Sequence, residues 1–302
     1  GDLGTRLEVA RALGFIPGNA AHPFLTRVLA EERGEGSGAL RAAALRSMAR
    51  AGHKDAVRLL GYYLTNDRDR QVQEAAAEAL AELGSAEARF MIVDELMRGP
   101  SQADRRARLV DTLGRFEGDV VVEQLRRHLG DESPDVVAAA ALRGAERGMG
   151  ETVPYLVALL RGGTGSEKER ARVALEVLTS IRFDERSPTL LAERYQGWYE
   201  RERVGTARTW FRDALKRKGY DVTGLGLYLK GEPDETTVPL FIRVLRDPDP
   251  VLRRNAAKAL HDVAGRSFGD VDVTTSPRRA EEIAALWADW FKDRVSGLGG
   301  PR

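Results

Sequence analysis

The chain has 302 residues, of which 42% are hydrophobic and 31% are charged, and its 47 basic and 46 acidic residues leave a net charge of +1. A near-neutral chain has no overall field that would attract nucleic acid or an anionic membrane. The absence of cysteine excludes disulfides, thiolate metal ligands and a cysteine nucleophile. Because no run of about 18 apolar residues occurs, we expect no transmembrane segment.

Turn glycines recur along the first half of the chain at a nearly constant interval. Each one follows an Ala/Leu-rich amphipathic stretch and precedes another. These glycines are Gly18, Gly52, Gly84, Gly118 and Gly148, separated by 34, 32, 34 and 30 residues. A period of about 30–35 residues built from two helices is typical of an α-solenoid. The sequence therefore predicts an all-α fold, an α-solenoid of stacked antiparallel helix pairs.

The third repeat gives the most complete prediction of a helix pair. Asp67 and Asp69 are N-cap candidates for a helix over 70–83 that Gly84 ends, and a second helix is predicted over 86–97. The apolar residues that we expect to be buried are Ala75, Ala76, Ala79, Leu80 and Leu83 in the first helix, and Phe90, Ile92, Val93 and Leu96 in the second.

Other repeats show the same signals in weaker form. Ser133-Pro134 and Asp249-Pro250 predict helix starts, because a proline in the first turn has no N–H to leave unpaired. The second helices carry two large apolar residues four positions apart, which places both on one face. These pairs are Leu25/Leu29, Leu60/Leu64, Leu125/Leu129, Leu156/Leu160 and Phe241/Leu245.

Three segments carry a resemblance to a known family: VQEAAAEALAELG, PDVVAAAALRGAERG and DPDPVLRRNAAKALHDVAG. They resemble HEAT repeats and, more narrowly, the short bacterial kind also found in phycobilisome-lyase-like proteins. The resemblance extends to about Gly163 and returns over 235–265. It implies a HEAT/ARM-like superhelix that binds partner proteins across a broad concave surface.

The C-terminal half follows a longer repeat. A diverged duplication at an offset of 85 residues pairs Ala171, Ala174, Leu175 and Phe183 with Ala256, Ala259, Leu260 and Phe268. Each copy then continues through a polar loop to a helix that contains tryptophan, Trp198 in the first and Trp287 and Trp290 in the second. We therefore predict about five short repeats over 1–163, longer diverged repeats of the same solenoid over 164–295, and a flexible tail over 296–302.

Residue patterns typical of catalysis or cofactor binding are absent. The four histidines, His22, His53, His128 and His261, have no partners at metal-ligand spacing. The glycine-rich segments GEGSGA and GGTGSEK lack the strand or the Gly-Lys-Ser/Thr ending of a phosphate loop, and no G-x-S-x-G serine motif occurs. We therefore expect no enzymatic activity, no catalytic residue, no metal site and no cofactor.

One segment, 194–220, combines aromatic and basic residues. Between residues 193 and 218 the chain carries eight basic and four acidic residues. Arg208, Arg212 and Lys216 recur every four residues and so share a helix face; the other members of this candidate patch are Arg201, Arg203, Trp198 and Trp210. The tryptophans either fill the core between longer helices or form an exposed aromatic and arginine patch, the residue types enriched in binding hot spots.

The favoured function is a protein-interaction scaffold that holds a protein or peptide segment. Its partner would lie on this C-terminal patch or on the inner face lined by second helices, whose polar positions include Arg58, Tyr62, Glu95, Arg126 and Arg243. A nucleic-acid-binding protein is the alternative, because HEAT-like DNA glycosylases carry arginine, tryptophan and carboxylate on a concave surface. Similar residues here are Trp287, Asp289 and Trp290, or Trp210 and Asp213. A bilin-lyase-like accessory protein ranks third.

The first residue, Gly1, bears on the expected location of the protein. Because the chain does not begin with methionine, we expect that a preceding segment, such as a signal peptide or another domain, was removed by processing or by cutting from a longer chain. We expect a soluble protein, either in the cytoplasm or exported after removal of a signal peptide.

Overall fold

The computed structural model describes residues 2–17, 19–31, 37–53, 56–225 and 235–296. These residues form α-helices and two short 3-10 turns, and none of them lies in a β-strand. The all-α prediction is confirmed. Gly18 and the predicted tail beyond Ser296 lie outside the described residues.

The helices follow one another with short connections. They are α1 (Leu3–Leu13), α2 (His22–Glu31), α3 (Gly38–Arg50), α4 (Val57–Asn66), α5 (Arg70–Leu83), α6 (Ala86–Met97), α7 (Ala103–Leu113), α8 (Asp119–His128), α9 (Pro134–Glu146), α10 (Val153–Gly162), α11 (Gly165–Thr179), α12 (Pro188–Glu202), α13 (Ala207–Arg217), α14 (Thr237–Val244), α15 (Pro250–Ala264) and α16 (Pro277–Val295).

Local capping explains why α5 begins and ends where the sequence predicts. The Asp69 carboxylate accepts a hydrogen bond from the Gln71 amide at 2.9 Å, and Asp67 accepts one from the Asp69 amide at 2.8 Å. These bonds satisfy amides at the helix start, which have no partner inside the helix. At the other end Gly84 adopts the left-handed conformation, with φ of 55°, that a residue without Cβ reaches at no steric cost.

The chain separates into two compact units, Gly1–Arg143 and Gly144–Arg302. In the first unit, the helices α1, α3, α5 and α7 pack side by side in chain order. The helices α4 and α6 pack against each other and against neighbouring members of that row. Each helix therefore contacts those nearby in the sequence, which is the arrangement of an α-solenoid.

The second unit uses the same principle with longer connections. Helix α10 packs against α11 and α12, α13 contacts both α11 and α15, and α14 packs against α15 and α16. Its core includes a stacked pair of rings, Phe211 and Phe241, whose centroids are 5.9 Å apart. Leu260 and Trp287 are fully buried in the same cluster.

Both copies of the 85-residue duplication show matching local structure. Helix α11 is followed by Ser180 and α15 by Gly265, and both residues adopt the left-handed conformation, with φ of 56° and 66°. An edge-to-face ring pair then closes each copy, Phe183 on Tyr195 and Phe268 on Trp287, each with centroids 4.8 Å apart. The repeated backbone and ring geometry supports the duplication that two alanines, a leucine and a phenylalanine predict.

Burial confirms most of the predicted apolar positions. Both members of each predicted second-helix pair are buried, from Leu25/Leu29 to Phe241/Leu245. Phe90 is an error of prediction, since 71% of it is exposed. It lies two positions before the buried Ile92, and two helical steps of about 100° carry a side chain to nearly the opposite face. Leu83, at the end of α5, is only half-buried.

Buried arginines link successive repeats. Arg41 and Arg106 occupy the fourth position of α3 and α7, and each reaches a carboxylate 25 or 26 residues later in the chain. The guanidinium of Arg41 lies 3.1 Å from Asp67, and that of Arg106 lies 2.9 Å from Asp131. In the second unit, the Tyr220 hydroxyl donates to Asp247 in the same way at 2.7 Å. We call these three contacts the rungs.

Candidate functional site

A shallow groove of about 180 Å³ lies on the first unit along α4 and α6. Met91 and Ile92 are among the residues that line it, with Leu109 of α7, and the polar residues Arg58, Tyr62 and Glu95 are also part of its wall. Three residues predicted separately on the inner face are thus brought together here. We call this site the α4–α6 groove.

Close approach of Met91 to α4 shapes the groove. It depends on Gly61, because a Cβ atom added to this glycine would lie 2.4 Å from Met91 Cε and 2.5 Å from its Sδ. A glycine inside a helix costs about 1 kcal/mol relative to alanine. The contact with Met91 provides a structural reason for that cost.

Large apolar side chains stand exposed on the same two helices. Tyr62 is 60% exposed, Phe90 71% and Met97 64%. The next residue, Tyr63, packs edge-to-face against the Tyr62 ring at 5.5 Å and donates its hydroxyl proton to the Leu29 carbonyl at 2.8 Å. Tyr62 is therefore an exposed ring held against an anchored one, which limits the entropy it loses on binding.

Charge around the α4–α6 groove is mixed. Arg58 is almost fully exposed and lies 3.8 Å from Glu87 of α6, while Glu95 contacts Arg105. Arg126 and Arg243, also predicted as contact residues, are exposed on α8 and α14 but do not line this groove. Their part in binding stays a prediction.

The structure buries the tryptophans of the basic–aromatic segment. Trp198 is 8% exposed and Trp210 3%, and their rings meet edge-to-face with centroids 5.1 Å apart. Trp210 also donates its indole proton to the Glu202 carbonyl at 3.1 Å. Trp198 and Trp210 therefore fill the core, as the first of the two interpretations predicts, and the interpretation of an exposed aromatic patch is wrong for them. Both rings fill the space between α12 and α13, where no partner can stack on them.

The basic residues of that segment lie partly on α13 and partly at the end of α12. Arg208, Arg212 and Lys216 lie on α13 as predicted, and Arg212 is part-exposed beside Asp213 at 3.7 Å. Lys216, Arg201 and Arg203 are exposed. Arg208 lines a cleft. The binding of a partner by these cations stays a prediction.

Two histidines that are distant in sequence meet in the first unit. The rings of His22 and His53 pack edge-to-face with centroids 5.1 Å apart. In the part of the chain that the structure describes, no three His, Asp or Glu side chains gather in a way that could hold a metal ion.

The helix-pair architecture defines the class of protein, an α-solenoid repeat protein. Residues 33–91 match a family model described as HEAT repeats, and residues 237–265 match one described as HEAT repeat. These matches cover 59 and 29 of the 302 residues and support a HEAT-repeat protein. HEAT repeats are commonly protein-interaction scaffolds. The narrower likeness to phycobilisome-lyase-like proteins is not tested by these matches and stays a prediction.

No protein with a curated description matches the chain. Among the described residues, no helix combines the length and the hydrophobicity needed to cross a lipid bilayer.

Proposed function

We propose that this protein is a non-enzymatic scaffold that binds a segment of a partner protein at the α4–α6 groove. The observation that carries the proposal is Tyr62, a 60% exposed ring on the wall of an apolar groove. Tyrosine and arginine dominate the energetics of protein interfaces, and Arg58 lies on the same groove. Exposed aromatic residues grouped on adjacent helices mark interaction surfaces more often than scattered ones do.

The groove favours a particular kind of partner segment. The part-exposed Met91 offers an apolar surface that suits one aliphatic or aromatic side chain, and the buried Ile92 and Leu109 line the groove beside it. Arg58 and Glu95 on the wall can pair with one acidic and one basic group. A helix or extended peptide with an apolar anchor between opposite charges meets both conditions.

Affinity capture with matched variants tests this proposal. Immobilised wild-type protein, Tyr62→Ala and Phe15→Ala are each incubated with lysate of the source organism, and bound proteins are identified by mass spectrometry. Phe15 is an equally exposed ring, 73%, on the turn after α1, where it lies beneath the Arg50 guanidinium at 4.9 Å. A partner held by wild type and Phe15→Ala but lost from Tyr62→Ala supports the proposal.

The affinity of that partner, once purified, gives the quantitative test. Loss of a tyrosine hot spot costs about 2 kcal/mol or more, so Tyr62→Ala should weaken binding about 30-fold. A partner retained by Tyr62→Ala and lost from Arg212→Glu would place binding on the basic face of α13. Recovery of nucleic acid in place of protein would favour the alternative function.

A further inference from the structure

A larger cleft, of about 380 Å³, lies within the second unit. The helices α11, α13 and α15 contribute to its walls, together with the end of α9. Its volume falls within the range of small-molecule sites, about 300–1,000 Å³. The cleft shares no residue with the α4–α6 groove, so a ligand bound in it would be independent of the proposed function.

Basic side chains predominate in this cleft. Arg147, Arg208, Arg254 and Lys258 line it, with only two carboxylates, Glu146 and Asp262. The cleft therefore carries two net positive charges. The chain as a whole carries +1 over 302 residues, so this is a local concentration of charge.

Among the four basic residues of the cleft, Arg254 is the one whose guanidinium makes few contacts with the protein. Its hydrogen bond is a long one, 3.4 Å, to the side chain of the next residue, Asn255, and it forms no ion pair within the described residues. Its preceding neighbour, Arg253, is 4% exposed and donates to three backbone carbonyls, those of Asp247, Pro248 and Thr275. Arg254 is part-exposed, and Glu146 and Asp272 stabilise its charge without an ion pair among the described residues, so its guanidinium can still donate hydrogen bonds to a ligand.

Packing keeps Arg254 in this position. The Asn255 amide donates to the Val177 carbonyl at 2.8 Å and to the Ser180 hydroxyl at 2.9 Å, which fastens α15 to the end of α11. Burial lowers the pKa of Arg254, although Glu146 and Asp272 act in the opposite direction. An arginine pKa begins so far above neutrality that the side chain remains charged.

The other walls suit an organic group. The buried side chains of Leu178 and Phe211 line the apolar base of the cleft next to the cations, and Ala145 and Ala207 also line it. Thr206, Ala207 and Arg208, at the start of α13, also line the cleft, so the positive end of that helix dipole adds to the field.

We propose that this cleft binds a small phosphomonoester. A phosphoryl dianion balances the two net positive charges, and its three terminal oxygens accept hydrogen bonds from Arg254, Arg208 and Lys258. The organic part of the ester lies against the apolar lining of the cleft, which includes Ala145 and Ala207. No bond is made or broken in this event.

Titration calorimetry with phenyl phosphate tests the proposal on the full chain at neutral pH and constant ionic strength. We expect saturable binding at one site. Arg254→Gln should weaken it at least tenfold, and Lys258→Gln, which changes a half-exposed residue with little risk to folding, should weaken it several-fold. Arg212→Gln is the matched control, since Arg212 is a cation on α13 outside the cleft, and it should leave the affinity within twofold of wild type.

Two further ligands sharpen the assignment. Phenyl sulfate has the same shape with one charge fewer, and inorganic phosphate lacks the ring, so both should bind several-fold more weakly than phenyl phosphate. The proposal is overturned if phenyl phosphate does not bind at millimolar concentration, or if Arg212→Gln weakens binding as much as Arg254→Gln and Lys258→Gln do. Equal affinity for inorganic phosphate would overturn the assignment of an organic ligand.

Discussion

The α4–α6 groove and the cleft of the second unit are built from similar helix pairs but offer opposite chemistry. The groove lies along α4 and α6 and is mainly apolar. Its charged residues, Arg58 and Glu95, contact the oppositely charged neighbours Glu87 and Arg105. The cleft lies along α11, α13 and α15 and holds Arg254, whose guanidinium forms no ion pair among the described residues. A repeat fold thus fixes the buried face of each helix and leaves the other positions free to specialise.

The largest loss of stability is expected from a charge placed in the packed helix interface of α5. Ala79 of α5 is fully buried, and Ala79→Asp would place an unpaired charge among packed helices. We expect the free energy of unfolding to fall by about 3–5 kcal/mol, or the new carboxyl to take up a proton. Urea denaturation measures this. Ala86→Asp, at an exposed position in the first turn of α6, should be nearly neutral; equal losses in both variants would mean that the buried face is misplaced.

The second effect contrasts two adjacent arginines in the unit that holds the cleft. Arg253→Met leaves three carbonyls without their donor and should cost about 3 kcal/mol. Arg254→Met removes a part-exposed cation that forms no ion pair among the described residues, so it should cost nothing, or raise stability by up to about 1 kcal/mol. Melting temperatures in phosphate-free buffer compare the two. A large loss in Arg254→Met would show that this residue is structural and would weaken the case for a ligand.

A smaller effect is expected from filling the space that Met91 occupies. Gly61→Ala places a methyl group against Met91, and overpacking of this kind costs about 1–3 kcal/mol, partly offset by the better helix propensity of alanine. The double variant Gly61→Ala/Met91→Ala should recover much of the loss. A double-mutant cycle on unfolding free energies gives the coupling, and additivity would contradict the close contact.

The smallest effect concerns the loss of folding stability at acidic pH. The hydrogen bond from Arg106 holds the pKa of Asp131 below its usual value, with further help from the Ser133 amide, while burial acts against both. A depressed carboxyl pKa stabilises the fold above the unfolded-state pKa of about 3.9, and this contribution is lost as the pH falls through the lower folded-state value. Asp131→Asn should therefore reduce the drop in stability between about pH 4 and pH 2. A drop as steep as in wild type would contradict this.

Much of the fold could be predicted because its signals are local. The ends of α5 follow from Asp69 and Gly84, and the buried pairs follow from the spacing of apolar residues along a helix. Phe90 was misassigned because a run of apolar residues covers more than one face. The burial of Trp198 and Trp210 depends on how α12 meets α13, and composition does not report that contact.

The candidate sites were predictable only in part. Arg58, Tyr62 and Glu95 could be placed on second helices from periodicity alone. The contact of Gly61 with Met91 joins residues 30 positions apart, so local sequence patterns do not predict it. Arg253 and Arg254 are neighbours of the same type with opposite surroundings. The sequence did hold one signal for the buried arginines. Arg41, Arg106 and Arg253 each lie four residues after the N-cap of their helix.

The rungs have a consequence for how the chain folds. They join residues 26, 25 and 27 positions apart, so each closes a loop of nearly the same length. The entropy cost of closing a loop depends on the logarithm of its length, so every rung meets nearly the same penalty wherever it lies in the chain. No rung needs residues from a distant repeat. Adding repeats would therefore lengthen the protein without raising the barrier to forming any one of them.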